Sequence, residues 1–370
     1  MKKKILILVT EAAYPKVRNS LKDLKKYYLF DFYISDLKKN VRSVFFFKII
    51  SNIFFKNEYL CCLDFYKDKQ IKDIILFSLI KNKIKIIRPI LAPKARHLFK
   101  EKKDYFYLHK LFKQPKIIIN FIYNIFKKFI KHDGYILAGS YSKRDVKNNS
   151  GFIIYSHSFD YENLKKKNLL KDKKKKINKI KKILFLDEMM QHHPDYEKNN
   201  LLVPINYKDY LNEINLIFKK IFLLKNFIPE IAFHPKSDKK YRSDFRFVKK
   251  YFNNTIYAIK NCDLVIAHGS TTIGIAAVFK KPIVLLISKK MKFTWMEKYV
   301  KTIGKHLNCK IYYTDEFLKN INEINLNKLI KSNSNNTSYI NKFLSHPKKN
   351  RKYAHLWSSF HNYIHNNDDS

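Results

Sequence analysis

At 370 residues with 46% hydrophobic side chains, the chain excludes wholesale disorder and is long enough for two domains that each bury a core. Its 75 Lys and Arg against 31 Asp and Glu, a formal net charge of +44, suit nucleic acid or an anionic membrane. Only 8 of those basic residues are Arg, whose planar fork reads phosphates and guanine edges, and the wealth of Ile, Asn, Phe and Tyr beside 6 Gly points to AT-rich codons as the source of much of the Lys, so nucleic acid is disfavoured.

The first apolar run, over 5–9, follows three lysines and is cut short by Glu11 and Pro15. It is too short for the core of a signal peptide and reads as a buried strand leaving a loop. A helix over 17–26 and a strand over 28–34 follow. Cys61 and Cys62 are poorly placed to bridge each other, and with Cys262 and Cys309 they form neither a zinc spacing nor a secreted disulfide framework, which fits a reducing cytoplasm. The segments 44–55 and 117–130 interleave Phe and Ile with Lys or Asn, short of the ~18–20 clean apolar residues of a membrane span. Each is either a core-facing helix or a helix lying on an anionic inner-membrane surface. Strands are expected at 83–87, closed by Arg88-Pro89, at 135–138 and at 152–155. Residues 165–182 hold 11 Lys and no apolar period, the mark of an exposed linker or loop.

Beyond it the pattern restarts. Strands at 183–186, 230–233, 264–267, 283–287 and 310–313 alternate with helices over 207–225, 255–260 and 271–279, and helical spacing returns over 339–343 and 353–364. Alternating units predict an α/β chain of two Rossmann-like domains, 1–164 and 183–335, joined by 165–182, with 336–370 a helical tail packing back toward the first. Two such domains facing across a cleft would hold ligand at the carboxyl ends of their strands.

Gly is scarce, so its positions inform: Gly134 and Gly139 mark one region, Gly269 and Gly274 another. The run from Leu264 through His268-Gly269-Ser270-Thr271-Thr272 reads as a buried strand, a tight turn and a helix opening with hydroxyls. A helix start offers unpaired N–H groups and partial positive charge to a phosphate; the plainer alternative is capping by Ser270. His234, followed by Pro235-Lys236-Ser237, ends another buried strand, where an imidazole can donate to a phosphate oxygen and help a nucleotide leave. Asp187-Glu188 end a third strand and lead to His192-His193; the two carboxylates orient an acceptor hydroxyl, act as a base, or cap a loop. The His pair has no further ligands at a recognisable metal spacing. His157 and Asp160, in Tyr155-Ser-His-Ser-Phe-Asp-Tyr161, make either a cleft site or a hydrogen-bonded turn.

Together, His-Ser-x-Asp-Tyr at 157–161, Phe-Leu-Asp-Glu at 185–188 with His-Pro-Asp-Tyr at 193–196, His-Pro-Lys-Ser at 234–237 and His-Gly-Ser-Thr-Thr at 268–272 resemble a family of bacterial surface-polysaccharide glycosyltransferases of GT-B fold. The last two motifs also resemble the His-Pro and Ser/Thr motifs of bacterial sialyl- and polysialyltransferases. The resemblance covers about 130–290. It implies a cytoplasmic enzyme, peripheral on the inner membrane, moving a sugar from a nucleotide-sugar donor to a glycan or lipid-linked glycan acceptor. His234 would contact the donor phosphate, with Ser270-Thr271 the hydroxyl pair beside it. The acidic pair before Gly that supplies the base in sialyltransferases is here His132-Asp133-Gly134, which leaves Asp133 and Asp187 as candidates for the base. No Asp-x-Asp occurs, so neither metal nor cofactor is expected. Rival readings are a polyol-phosphate transferase on the same fold and a non-enzymatic membrane- or RNA-binding protein.

Overall fold

The structure is a computed structural model describing residues 2–11, 13–34, 59–65, 79–91, 132–146, 151–166, 180–190, 202–332, 336–346 and 356–366, with Ile49, Ile53, Ile75, Leu76 and Tyr196. The segment 117–130, the rest of 44–55, the lysines of 167–179 and His192-His193 lie outside them. The chain divides into two compact units, Met1–Glu162 with Lys342–Ser370, and Asn163–Asn341.

The first unit is built on a six-stranded sheet: β1 Lys3–Val9, β2 Tyr28–Ile34, β3 Tyr59–Asp64, β4 Lys85–Ile90, β5 Gly134–Leu137 and β6 Phe152–Tyr155, in the order β2-β1-β3-β4-β5-β6. Every neighbouring pair is parallel. Side chains alternate across the sheet, so Ile5, Ile7 and Val9 enter one core and Leu6 and Leu8 the other. Both faces are covered, which is why β1 reads as an unbroken apolar run. The same alternation sends Cys61 and Cys62 to opposite faces. The strand expected to close at Arg88-Pro89 instead runs on to Ile90. β3 pairs with β4 only as far as Ile87, so Pro89 lies where β5 is the sole partner and its missing N–H breaks no ladder on the other side.

The tail covers one face of this sheet. Leu356, Trp357, Phe360 and Ile364, on and before the helix Ser358–Asn366, join the core of Ile5, Ile7 and Ile154. Polar ties fix it there: Ser156 Oγ donates to the Leu356 carbonyl at 2.6 Å, and Trp357 Nε1 donates to Ser20 Oγ at 3.2 Å.

The second unit carries β7 Lys181–Leu186, β8 Phe227–Ala232, β9 Lys249–Tyr251, β10 Leu264–Ala267, β11 Ile283–Ile287 and β12 Lys310–Tyr313, ordered β12-β11-β10-β7-β8-β9 and parallel throughout. The helix Tyr207–Phe222 buries Tyr210, Ile214, Ile217, Phe218 and Ile221, a single stripe at helical spacing. Asn206 caps it by accepting the Asp209 N–H at 2.9 Å. The helix Trp295–Leu307 buries Met296, Tyr299, Val300, Ile303 and Leu307 and ends at Asn308, which takes the left-handed conformation at φ 52°.

Candidate functional site

In the second unit the chain enters the sheet at β7, builds β8 and β9 to one side, then crosses back to lay β10, β11 and β12 on the other. β7 and β10 are therefore the neighbours at which the strand order reverses, and connections leaving them in opposite directions open a crevice at their carboxyl ends. Leu186 pairs with Ala267 on one side and Ala232 on the other, so the loops after β10, β7 and β8 leave the sheet level with one another. At the usual strand spacing the outer two start about 10 Å apart. The sheet thus gathers Asp187-Glu188, His234 and the 268–272 loop on three adjacent strands. Glu188 Oε1 spans the crevice to accept the Gly269 N–H at 3.1 Å.

Within the acidic pair the two carboxylates have different surroundings. Asp187 is buried, and four donors converge on it. Its Oδ1 accepts from Tyr241 Oη at 2.7 Å, Tyr210 Oη at 3.1 Å and the Met189 N–H at 3.1 Å, and its Oδ2 from the His234 N–H at 3.4 Å. Burial raises its pKa above the ordinary carboxylate value, against those hydrogen bonds, which lower it. Burial and the Asp187 charge also push the Tyr210 and Tyr241 hydroxyls up, which keeps both as proton donors. A base must reach an acceptor hydroxyl, and this carboxylate is enclosed by its own chain. Asp187 ties the His234 loop to the Tyr210 and Tyr241 hydroxyls and the Met189 N–H. Glu188 is partly exposed as a residue, but its carboxylate is turned inward, with Oε1 on the Gly269 N–H and Oε2 buried.

His234 is half-buried. The Lys236 N–H donates to its Nδ1 at 3.2 Å, which places the proton of the neutral ring on Nε2. Pro235 and Lys236 are exposed beside it, while Ser237 is buried.

In the next loop Gly269 is required by close approach: a Cβ there would meet Tyr299 Cε1 at 2.5 Å. Ser270 and Thr272 pair through their hydroxyls at 2.7 Å, and Thr271 is exposed. The N–H groups of Ile273 and Gly274 turn back onto the Ser270 and Thr271 carbonyls. The start of the short helix Ile273–Val278 therefore offers hydroxyls, and fewer open N–H groups than the sequence suggests.

His268 is buried against Phe185 and Tyr210, its Nδ1 donating to the Leu286 carbonyl at 2.7 Å. Burial lowers its pKa from 6.5 to about 4. Above pH 6.5 the ring is neutral in both folded and unfolded chains and its full contribution is present. Between 6.5 and about 4 only the unfolded chain takes the proton, so stability falls, by about 3 kcal/mol in all. Urea unfolding at pH 7 and pH 4.5 should show this loss, and His268→Gln should remove most of it.

Sequence reasoning passed over a third carboxylate at this edge. Glu213, from the helix Tyr207–Phe222, accepts from Ser288 Oγ at 2.7 Å and Thr314 Oγ1 at 2.9 Å, and burial raises its pKa. The signal was available: Ser288 and Thr314 each stand directly after a strand, β11 and β12, as Asp187 and His268 do after β7 and β10.

The candidates of the first unit are held otherwise. Asp133 precedes β5, at the amino end of that strand, and its Oδ2 accepts the Ile86 N–H at 2.7 Å. The strand's carboxyl end is four residues on, roughly 13 Å away, so Asp133 does not stand at the ligand edge expected of a base. His157 is buried and hydrogen-bonds Glu162, which also accepts the Leu356 N–H at 3.1 Å; this pair ties the tail to the sheet rather than lining a cleft. Asp160 pairs with Lys16 at 2.8 Å on the surface. Gly139 is packed by the tail: a Cβ there would meet the Lys342 carbonyl oxygen at 2.3 Å.

No family model matches the chain, and no curated protein matches it. Solved structures do. MurG from Acinetobacter baumannii matches over 100% of both chains with a TM-score of 0.50 at 8% identity. The chain has the GT-B fold. The UDP-GlcNAc 2-epimerase from Methanocaldococcus jannaschii matches over 97% of this chain and 99% of its own, with a TM-score of 0.49 at 11% identity. Anabaena HepE in complex with UDP matches over 100% of both, with a TM-score of 0.49 at 10% identity. The similarity to MurG is one of fold, and the two six-stranded parallel sheets are the Rossmann-like halves of the GT-B pattern.

Proposed function

We propose that the protein is a metal-independent glycosyltransferase that moves a sugar from a nucleotide-sugar donor to a growing surface glycan, with its second unit as the donor seat. The observation that carries this reading is the convergence at the β7/β10 crevice of a neutral imidazole with its proton on Nε2 and a loop of three hydroxyl residues. Both suit a phosphate that gains negative charge as the sugar leaves it. In the step, the acceptor oxygen attacks the anomeric carbon while the bond from that carbon to the phosphate oxygen breaks. His234 and Thr271 stabilise the departing phosphate, and we assign the proton acceptor to Glu188 rather than Asp187 or Asp133. The absence of Asp-x-Asp supports a donor held without a divalent ion. A cytoplasmic enzyme resting on the inner membrane is supported by the net charge of +44 and by the lack, among the described residues, of any helix long and apolar enough to cross a membrane.

The test is a thermal-shift screen against CMP, UDP, GDP and their sugars, with and without EDTA. A ligand that binds only the folded chain raises its midpoint by mass action. One nucleotide series should raise it equally in both conditions. No shift with any of them, or a shift that needs magnesium or manganese, overturns the reading.

A further inference from the structure

We propose that the loop from Ser288 to Trp295, with Leu202 and Val203, is a face that docks the second unit on an anionic lipid bilayer. This deepens the peripheral-membrane part of the reading above and does not depend on its chemistry. Phe293 and Leu202 are each 85% exposed and Val203 51%. They belong to one patch, because Trp295 Nε1 donates to the Leu202 carbonyl at 2.9 Å.

The display of Phe293 is enforced by the fold. Its φ of 65° is left-handed, a strained conformation for a bulky side chain. The loop is nonetheless pinned on both sides of it. Met291 is fully buried, Ser288 Oγ accepts the Lys290 N–H at 3.1 Å, Thr294 Oγ1 donates to the Met291 carbonyl at 2.6 Å, and the Phe293 N–H donates to Glu297 at 2.5 Å. A strained and anchored backbone that holds an aromatic ring in water calls for something to receive the ring.

Charge identifies the receiver. Lys290, Lys292 and Lys298 are exposed around the ring, and Lys289 keeps 73% side-chain exposure while facing Asp315 at 3.6 Å. Of the other nearby carboxylates, Glu297 is engaged with Lys301 and Tyr313, and Glu213 with Ser288 and Thr314, leaving Asp315 as the acidic group at the surface. Apolar side chains ringed by lysines match a bilayer with anionic headgroups, where the rings enter the acyl boundary and the ammonium groups meet phosphate. The patch also neighbours the site loop, since Trp295 lies one helical turn from Tyr299, whose ring packs on Gly269.

Flotation of the full chain with phosphatidylcholine vesicles, with and without phosphatidylglycerol, tests this. The parent should float with anionic vesicles only, and less as salt rises. Phe293→Ser should weaken partitioning about tenfold, the worth of one buried aromatic side chain. Lys290→Gln with Lys292→Gln should weaken it about tenfold as well and flatten its salt dependence. Phe222→Ser probes the other exposed apolar cluster, where Phe222 already packs on Phe247 with ring centroids 6.0 Å apart, and should leave binding unchanged. Thermal stabilisation by the nucleotide should be the same in all three variants, which separates docking from the donor seat. Parental flotation of Phe293→Ser, loss confined to Phe222→Ser, or equal binding to neutral vesicles overturns the proposal.

Discussion

Replacing His234 by Ala is expected to lower kcat/KM by roughly 10²–10⁴, the range for a lost proton donor or charge stabiliser. In the proposed donor seat the Lys236 N–H on Nδ1 leaves Nε2 to carry the ring proton, so the ring would meet the phosphate as a donor. That donation strengthens as the nucleotide departs, so turnover should fall further than nucleotide affinity. The ring stands half-buried on a loop, and its loss should move the unfolding free energy by less than about 1 kcal/mol. A transfer assay run beside a calorimetric nucleotide titration reads the difference. Sugar transfer by His234→Ala at the parental rate would mean that the phosphate sits elsewhere.

How much of this was legible in the sequence depends on how local the cause was. Strands flanked by turn residues announce themselves, both the buried Leu264–Ala267 and Ile283–Ile287 and the partly exposed edge strands Tyr28–Ile34, Phe152–Tyr155 and Lys310–Tyr313, and all have the bounds their sequences suggest. β3 escaped notice because Tyr-Leu-Cys-Cys-Leu-Asp holds two residues of weak strand signal at its centre. β9 escaped because Lys-Lys-Tyr is a three-residue edge strand whose place is set by β8 alone. The helix Trp295–Leu307 has a clean apolar stripe but is rich in residues of modest helix propensity and contains Gly304. That glycine is demanded by a distant contact, since a Cβ would meet Ile311 Cδ1 at 2.4 Å.

The site divides the same way. That motif residues end strands is local, and the sequence shows it. That Asp187 is enclosed follows from Tyr210 and Tyr241, and nothing in the spacing announces those partners. Around His157 and Gly139 the tail, some 200 residues away, supplies the neighbours, and no local pattern announces it.

Asp187→Ala should therefore act on the fold first. It would remove the acceptor shared by the Tyr210 and Tyr241 hydroxyls and the N–H groups of Met189 and His234, and losing buried hydrogen bonds of this kind costs about 1–3 kcal/mol each. Met189 holds φ 49°, a left-handed turn that the carboxylate closes, so the turn loses its lock too. Against this, the carboxylate itself is costly to bury. Its folded pKa is raised, so it favours the folded chain when protonated and loses that advantage as pH rises through the raised value. The net loss expected near neutral pH is about 3–5 kcal/mol, typical of breaking a buried polar cluster by removing one partner. Asp187→Asn keeps one acceptor oxygen and should lose less, and the damage should appear as weaker nucleotide binding through the displaced His234 loop. Glu188→Gln is the opposite case. Its amide oxygen can still accept the Gly269 N–H, so stability and nucleotide affinity should hold while turnover falls by roughly 10²–10⁴. Chemical unfolding, nucleotide titration and transfer on the three variants separate clamp from base. An Asp187→Ala protein as stable as its parent would refute the clamp, and a fully active Glu188→Gln protein would send the search for the base to another residue.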